Sequence, residues 1–461
     1  MIAQDTLLAT DSINSQALAT LKNSIQGHLL LPDAEGYENA RKVWNGMIDK
    51  KPGLIVRCTS AEDVIQAVNF ARTQQLLVAI RGGGHNAAGL GVCDNGMVID
   101  LSLMKEIQVN PDTMTARAQG GVLWGEFDKA TQQFGLATTG GAVTTTGVAG
   151  LTLGGGVGWL MGKYGLTCDN LLSVDIVTAA GQLLTASQTQ NEDLFWAVRG
   201  GGGNFGVVTS FEYRLHQVGT IIGGMVLHPI ERAREVLHFY RDFTANAPDE
   251  ITTYAGALTT PDGIPMLALI MCYCGQNLEE GEKLIAPVRQ FGPPLVDLLR
   301  PMAYVEQQTV FDAAVPHGQQ SYWKANQLDN LTDEAIDTFV AHVSCVSSPR
   351  TAVLIEHHHG AMSRVAPHAT AFRHREASYE LVILSLWTDA TEDQMHIRWT
   401  REFFEAMQPF YSRGVYVNAL SHDEGNDRVR AAYGDNYDRL LSIKQKYDPA
   451  NFFRVNNNIV P

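Results

Sequence analysis

Three glycine-rich stretches within about 130 residues constrain this chain more than any other feature: RGGGHNAAG at 81–89, TGGAVTTTGVAGLTLGGGVGWLMGKYG at 139–165 and RGGGGNFGVV at 199–208. Glycine has no Cβ, accepts positive φ and lets a backbone come close to another group. Consecutive glycines also leave N–H groups free to converge on an anion. Ordinary turns do not need so many. The clusters imply a long ligand held against the backbone at several points, a dinucleotide rather than a mononucleotide. The apolar run Leu76–Ile80 predicts a short buried strand, and the loop after it puts His85 where it can touch that ligand.

A Rossmann nucleotide fold is the obvious rival, and its fingerprint fails here. GGGVGWLMG begins as Gly156-x-Gly158, but Met161 stands at the third glycine position and no βαβ pattern surrounds it.

Composition narrows the partners. A formal net charge of −15, with no basic run or tail, argues against nucleic acid and anionic membrane surfaces. No stretch nears the eighteen or so apolar residues of a membrane span, and MIAQDTLLATDSINSQ lacks the pattern of a signal peptide. Six cysteines in 461 residues make no disulfide framework, so reduced thiols and a cytoplasmic location are expected.

Ser60 and Asp63 predict the start of a helix over 60–75, with Val64, Val68 and Ala71 on one face. Strands are expected at GMVIDLS, on both sides of Asn110–Pro111–Asp112, and in SVDIVTAAGQLLTAS, with a helix in GVLWGEFDKATQQFG. Near residue 215 glycine thins out. Long apolar strands such as MLALIMCYC and ELVILSLW then alternate with helices such as TDEAIDTFVAHVS, which predicts a second α+β domain to about 415. The tail reads as helical up to Asp448–Pro449.

VRCTSAEDVIQAVNFARTQQLLVAIRGGGHNAAGLG, TTTGVAGLTLGGGVGWL and GGGGNFGVVTSFEYRL together resemble the FAD-binding domain of the vanillyl-alcohol-oxidase superfamily. The end, YVNALSHDEGNDRVRAAYGDNYDRLLSIKQKYDPANFFRVNNNIVP, is similar to the C-terminal segment of berberine-bridge-enzyme-like oxidoreductases. The resemblance covers about 48–215 and about 414–461, and the middle matches only in type. It implies an α+β protein: a two-part FAD-binding domain of the p-cresol-methylhydroxylase (PCMH) type over 1–215, an inserted substrate domain on an antiparallel sheet over 216–415, and a C-terminal segment over 416–461 that returns to the first part.

For the site, the resemblance implies FAD wrapped by Arg81, Gly82, Gly83, Gly84, Asn86 and Gly89. Further contacts are implied from Thr146, Gly147 and Gly150, from Gly154, Gly155, Gly156 and Gly158, and from Gly206 and Val207. His85 is the implied covalent anchor, bonded to the 8α-methyl group of the flavin ring. Relatives with a second link carry a cysteine four residues before Gly147; Val143 stands there, so one covalent bond is expected. Thr146, at a position associated with oxygen access, is small enough for an oxidase. Val157 replaces a tyrosine found in some relatives. Tyr416 and Asn418 form a Y-x-N element expected near the flavin, with Tyr416 as candidate base and a packed core tyrosine as the alternative. Asn456 and Asn458 are expected to hydrogen-bond flavin or substrate, unless they only cap a helix end.

IEHHHGAM at 355–362 would place His357 and His359 on one side of a strand and His358 on the other. A metal is not expected there, because no acidic or cysteine ligand spacing accompanies the histidines and the resemblance implies metal-free chemistry; a strand lining the pocket is the preferred functional reading, with surface or core packing as the alternative. Some of Tyr304, Tyr322, Trp323, Trp387 and Trp399 should form an aromatic wall. The function expected is an FAD-dependent oxidase that takes hydride from an alcohol, sugar or amine C–H and passes electrons to O2. The alternatives are a flavin dehydrogenase with another acceptor and a non-catalytic flavin or ligand binder.

Overall fold

The computed structural model describes residues 14–461. Most of the opening segment, read above as lacking a signal peptide, lies outside the described residues, as does the start of the expected first domain. A four-stranded sheet runs in the order His28–Leu30, Leu54–Arg57, Met97–Asp100, Val78–Arg81, and its last three strands are parallel. Leu54, Ile55, Val56, Met97, Val98 and Ile99 are all buried, the unbroken apolar pattern of a parallel sheet covered on both faces. Helix Ala61–Thr73 covers one side. Ser60 caps it by accepting the Asp63 N–H at 3.2 Å, and Val64, Val68 and Ala71 join the same core.

The strand that carries the first glycine loop starts two residues later than the apolar run and ends on Arg81. Asp100, on the neighbouring strand, explains that end. The Arg81 guanidinium is bidentate to its carboxylate, at 2.5 and 3.1 Å, so the arginine pins the strand instead of reaching outward. The glycines follow directly from this pinned point.

A second, antiparallel sheet has the order Ile107–Asn110, Thr115–Gln119, Val207–Arg214, Leu171–Val177, Leu183–Ser187. Its core also takes Val415, Val417, Leu420, Tyr433, Leu440 and Ile459 from the C-terminal segment. Lys444 fastens that segment: its buried ammonium donates to Asp448 at 2.7 Å, to the Asn204 carbonyl at 2.8 Å and to the Phe453 carbonyl at 2.9 Å. The tail is two helices, Asn426–Tyr433 and Tyr437–Tyr447, broken at Gly434, where φ is +48°.

Between these parts the chain forms a large antiparallel sheet, Val296–Asp297, Thr220–Pro229, Pro265–Tyr273, Ile251–Thr259, Ala352–His357, Tyr379–Trp387, Gln320–Leu328, with Arg300–Ala303 also on Thr220–Pro229. Alternation divides its residues. Val353, Ile355, Leu381 and Ile383 pack in one core with residues of helices Ala233–Thr244, Asp333–Val343 and Asp393–Ala406. Ala352, Leu354, Glu356, Glu380, Val382 and Leu384 face the other way, over the glycine loops. Among the described residues, no helix is long and apolar enough to cross a membrane.

Candidate active site

The glycine loops form one wall of a cleft, and the large sheet forms the other. Of the residues expected at the cofactor, Arg81, Gly82, Gly83, Gly84, His85, Asn86, Thr146, Gly147, Gly150, Gly206, Asn456, Tyr416 and Asn418 line it together. The walls of Gly83 and Gly147 meet backbone to backbone: a Cβ on Gly147 would lie 2.5 Å from the Gly83 nitrogen. By contrast, a Cβ on Gly150 or Gly203 would meet no protein atom within 4 Å. One pair of glycines joins the loops, and the other keeps the floor bare.

His85 is half-buried, stacked on Trp44 with ring centres 4.9 Å apart, and its Nε2 lies 3.3 Å from Thr145 Oγ1. Burial, helped by His317, pulls its pKa down to about 4, so at neutral pH the imidazole is uncharged.

Seven expected residues are not on the cleft surface. Gly89 turns with φ +67° against Ile48, and Gly155, with φ +121°, lies against Phe372. Gly154, Gly156 and Gly158 let the chain pass under Asn418, Thr167 and the Gly140 carbonyl, at 2.1, 2.2 and 1.7 Å from an added Cβ. Val207 points into the core of the parallel sheet, and strand alternation gives the wall to Val208 instead. Asn458 is likewise off the wall, and Asn457 is on it, with its amide donating to the Val417 carbonyl at 2.8 Å. The glycine cluster at 154–158, whose Val157 lines the cleft, therefore serves protein packing, and through it the site.

What it packs is Tyr416. The phenol oxygen accepts the Gly156 N–H at 3.0 Å and an Asn418 amide N–H at 2.9 Å, and Asn418 also donates to the Leu151 carbonyl. Burial pushes the phenol pKa up, and those two donors pull the other way. Among the described residues, Arg81 is the only lysine or arginine on the cleft, and Asp100 holds it, so no free cation there favours the phenolate.

The opposite wall is apolar for most of its length, with Leu258, Phe311, Trp323, Leu354, Val382 and Leu384. Of the five aromatic candidates only Trp323 reaches it; Tyr304, Tyr322, Trp387 and Trp399 are held in other packing clusters. Trp44, Tyr254 and Phe311 were not anticipated, and strand alternation could have placed Tyr254. Glu356 and Glu380 give the wall its one acidic patch, and burial together with Glu356 raises the Glu380 carboxyl well above its ordinary pKa. His357 and His359 share a side, as expected, and stack at 4.3 Å, but His358 is the one beside the carboxylates.

These residues fit FAD. The bare Gly150–Gly203 floor leaves room for a ring system, and Asn456 aims its amide donors at the Gly203 and Phe453 carbonyls while its Oδ1 is buried without a protein partner. An acceptor of this kind is what a flavin ring N–H requires.

Comparison with known proteins agrees. Residues 52–187 match the FAD-binding domain family, and residues 415–460 match the berberine and berberine-like family. The chain is 32% identical to an FAD-linked oxidoreductase of Dictyostelium discoideum, over 95% of each chain. It is 31% identical to (R)-6-hydroxynicotine oxidase of Paenarthrobacter nicotinovorans, over 95% of this chain and 97% of that one. The crystal structure of 6-hydroxy-D-nicotine oxidase from Arthrobacter nicotinovorans superposes with a TM-score of 0.87, at 30% identity, covering 95% of this chain and 98% of the other. With a PCMH-type α+β fold, a cleft that suits FAD and relatives alike over nearly the whole length, the chain belongs to the berberine-bridge-like family of FAD-linked oxidoreductases.

Proposed function

We propose that this enzyme is an oxidase in which FAD is bonded once, through His85, and which oxidises a small amine or alcohol on a largely apolar skeleton. Bound at this site, FAD would supply the hydride acceptor and pass the electrons to O2, so that substrate and O2 would give the imine or carbonyl product and H2O2. The observation that carries the reading is Tyr416: a phenol held by two N–H donors in the same cleft as the His85 loop. In this role its ionised form takes the proton from the substrate N–H or O–H, and Gly156 and Asn418 stabilise the phenolate that does so. The apolar wall of Leu354, Val382 and Leu384 offers few partners for a sugar's hydroxyls, which favours amines and simple alcohols over sugars. A relative, matched both in sequence and as a crystal structure, is named a hydroxynicotine oxidase, which supports an amine first.

For the covalent bond, the neutral imidazole of His85 supplies a nitrogen lone pair. No cysteine lines the cleft among the described residues, and Val143 stands in the second-link position. The purified protein should keep its yellow colour through acid precipitation, with flavin mass on the His85 peptide alone; His85→Ala should release flavin on denaturation. Flavin that washes out of the wild type in acid defeats the covalent assignment. Oxidase and dehydrogenase separate by stopped-flow: after anaerobic reduction by an amine or alcohol panel, air should reoxidise the flavin quickly with H2O2 formed. Slow reoxidation would make it a dehydrogenase. Five buried thiols and one exposed, all unpaired, suit a reducing compartment, so we place the enzyme in the cytoplasm, which cell fractionation checks.

A further inference from the structure

The acidic patch on the sheet wall holds three donors that converge and do not bond to one another. Glu356 and Glu380 are direct cross-strand partners, both turned to the cleft. Two carboxylates set opposite each other on one face are unfavourable unless a proton or a cation neutralises one of them. His358, two residues past Glu356, brings its Nε2 to 3.8 Å from Glu356 Oε2 and 3.7 Å from Glu380 Oε2. Both distances exceed those of hydrogen bonds, which run at about 2.7–3.2 Å. The imidazole is left with neither nitrogen bonded, although only 3% of the residue is exposed, and Glu380 Oε1 has no partner either.

We propose that Glu356, His358 and Glu380 bind a divalent transition metal, zinc in the first instance, in the substrate wall of the cleft. Three donors within 4.8 Å of one another, two pairs of them at 3.7 and 3.8 Å, can share one ion at roughly 2.1–2.4 Å each, against about 2.0–2.2 Å for zinc on nitrogen and oxygen. One imidazole with two carboxylates suits zinc, manganese or iron; magnesium and calcium prefer oxygen alone. Two of the three ligands lie on the cleft, so the remaining coordination position faces it and is available to an oxygen or nitrogen donor of the substrate. The Nδ1 of His358 has no protein partner to fix the ring, so affinity should fall short of a structural zinc site. The metal site does not depend on the oxidase reading.

Holoenzyme stripped with a chelator and dialysed is titrated with zinc sulfate in a calorimeter, and metal is counted after gel filtration. One zinc per wild-type chain is expected. Glu380→Gln preserves the side-chain volume and should weaken binding by about 100-fold or more, since loss even of a supporting group costs about 10–100-fold. His358→Ala should weaken it at least as much. His359→Ala and Cys345→Ser, which alter the neighbouring imidazole and the exposed thiol, should bind as the wild type does. The flavin absorption band reports whether each variant is folded; if His358→Ala loses it, Glu380→Gln decides. No stoichiometric zinc on the wild type, or equal binding by Glu380→Gln, overturns the site and leaves the flavin chemistry untouched.

Discussion

The two walls of the cleft are built from different materials. The floor is backbone: Gly83 against Gly147, the bare faces of Gly150 and Gly203, and a tyrosine held by a main-chain N–H. The roof is side chains on one face of a sheet, with Leu354, Val382 and Leu384 along it and Glu356 and Glu380 at one place. Backbone contacts tolerate almost no added atom, whereas side chains on a sheet face can be exchanged at modest cost. Floor substitutions should therefore remove the cofactor or the fold, and roof substitutions should alter only what is oxidised.

The largest effect is expected where the floor is tightest. In Gly147→Ala the new methyl would sit 2.5 Å from the Gly83 nitrogen and 2.8 Å from its Cα, with backbone on both sides. The cost should exceed about 3 kcal/mol, and little soluble flavoprotein should be recovered. Gly150→Ala is the matched opposite. Its methyl meets no protein atom, and in the helix Val148–Leu153 alanine is favoured over glycine by about 1 kcal/mol. The chain should fold at least as well, yet incorporate little flavin. Thermal melting and the ratio of flavin to protein absorbance read both outcomes. Full flavin content in Gly150→Ala would mean that the bare floor is not where the ring lies.

The contrast also explains what could be read in advance. The resemblance named the His85 loop, Thr146, Gly147, Gly150 and Gly206 for the cofactor, and the structure brings them to one cleft. Glycines that hold a ligand and glycines that let two chains cross look alike in sequence. Gly154, Gly156 and Gly158 needed the structure to show Asn418, Thr167 and Gly140 behind them. Val207 is off the wall for a simpler reason: it is one residue out of phase with Val208, and period alone does not say which face is which. On the roof, strands were legible and their register was not. Glu356 meets Glu380 only because two strands 24 residues apart pair in that register, and no local pattern encodes it.

Tyr416 lies between the extremes, held by the floor and acting on what the roof brings. Tyr416→Phe keeps the ring against Phe372 and loses the oxygen that Gly156 and Asn418 address. Flavin should stay bound while its anaerobic reduction slows by about 10²–10⁴-fold, the usual worth of general-base help. The pH profile gives the sign. Burial holds the phenol pKa above its ordinary value, so the ionised, proton-accepting form is the minor one at neutral pH and grows as pH rises. Wild-type reduction should therefore speed up with pH, and the slower Phe variant should not follow it. Single-turnover mixing is required, because steady-state rates also report product release and reoxidation. A Phe variant reduced at the wild-type rate would take the tyrosine out of the chemistry.

The smallest effect should come from the roof. Leu354 sits in the strand Ala352–His357, turned to the cleft, with its side chain over Gly256 and its cross-strand partner Val382 beside it. It is only partly buried, so Leu354→Ala should cost less than the roughly 2–5 kcal/mol of a fully buried leucine. Nothing on the floor touches it through backbone, and flavin content, attachment and spectrum should match the wild type. What changes is the space above the reacting carbon. For the best substrate of an amine and alcohol panel, kcat/KM should fall as apolar contact is lost. For a homologue bulkier by one or two methylenes it should fall less or rise. The ratio between the two should move by about 10-fold or more, the usual discrimination available from a methylene in an apolar pocket. If Leu354→Ala leaves that ratio unchanged, the substrate does not lie against this face, and the division of labour between backbone floor and side-chain roof fails at its weakest point. If it loses flavin instead, the roof is part of the cofactor site and the two walls are not separable.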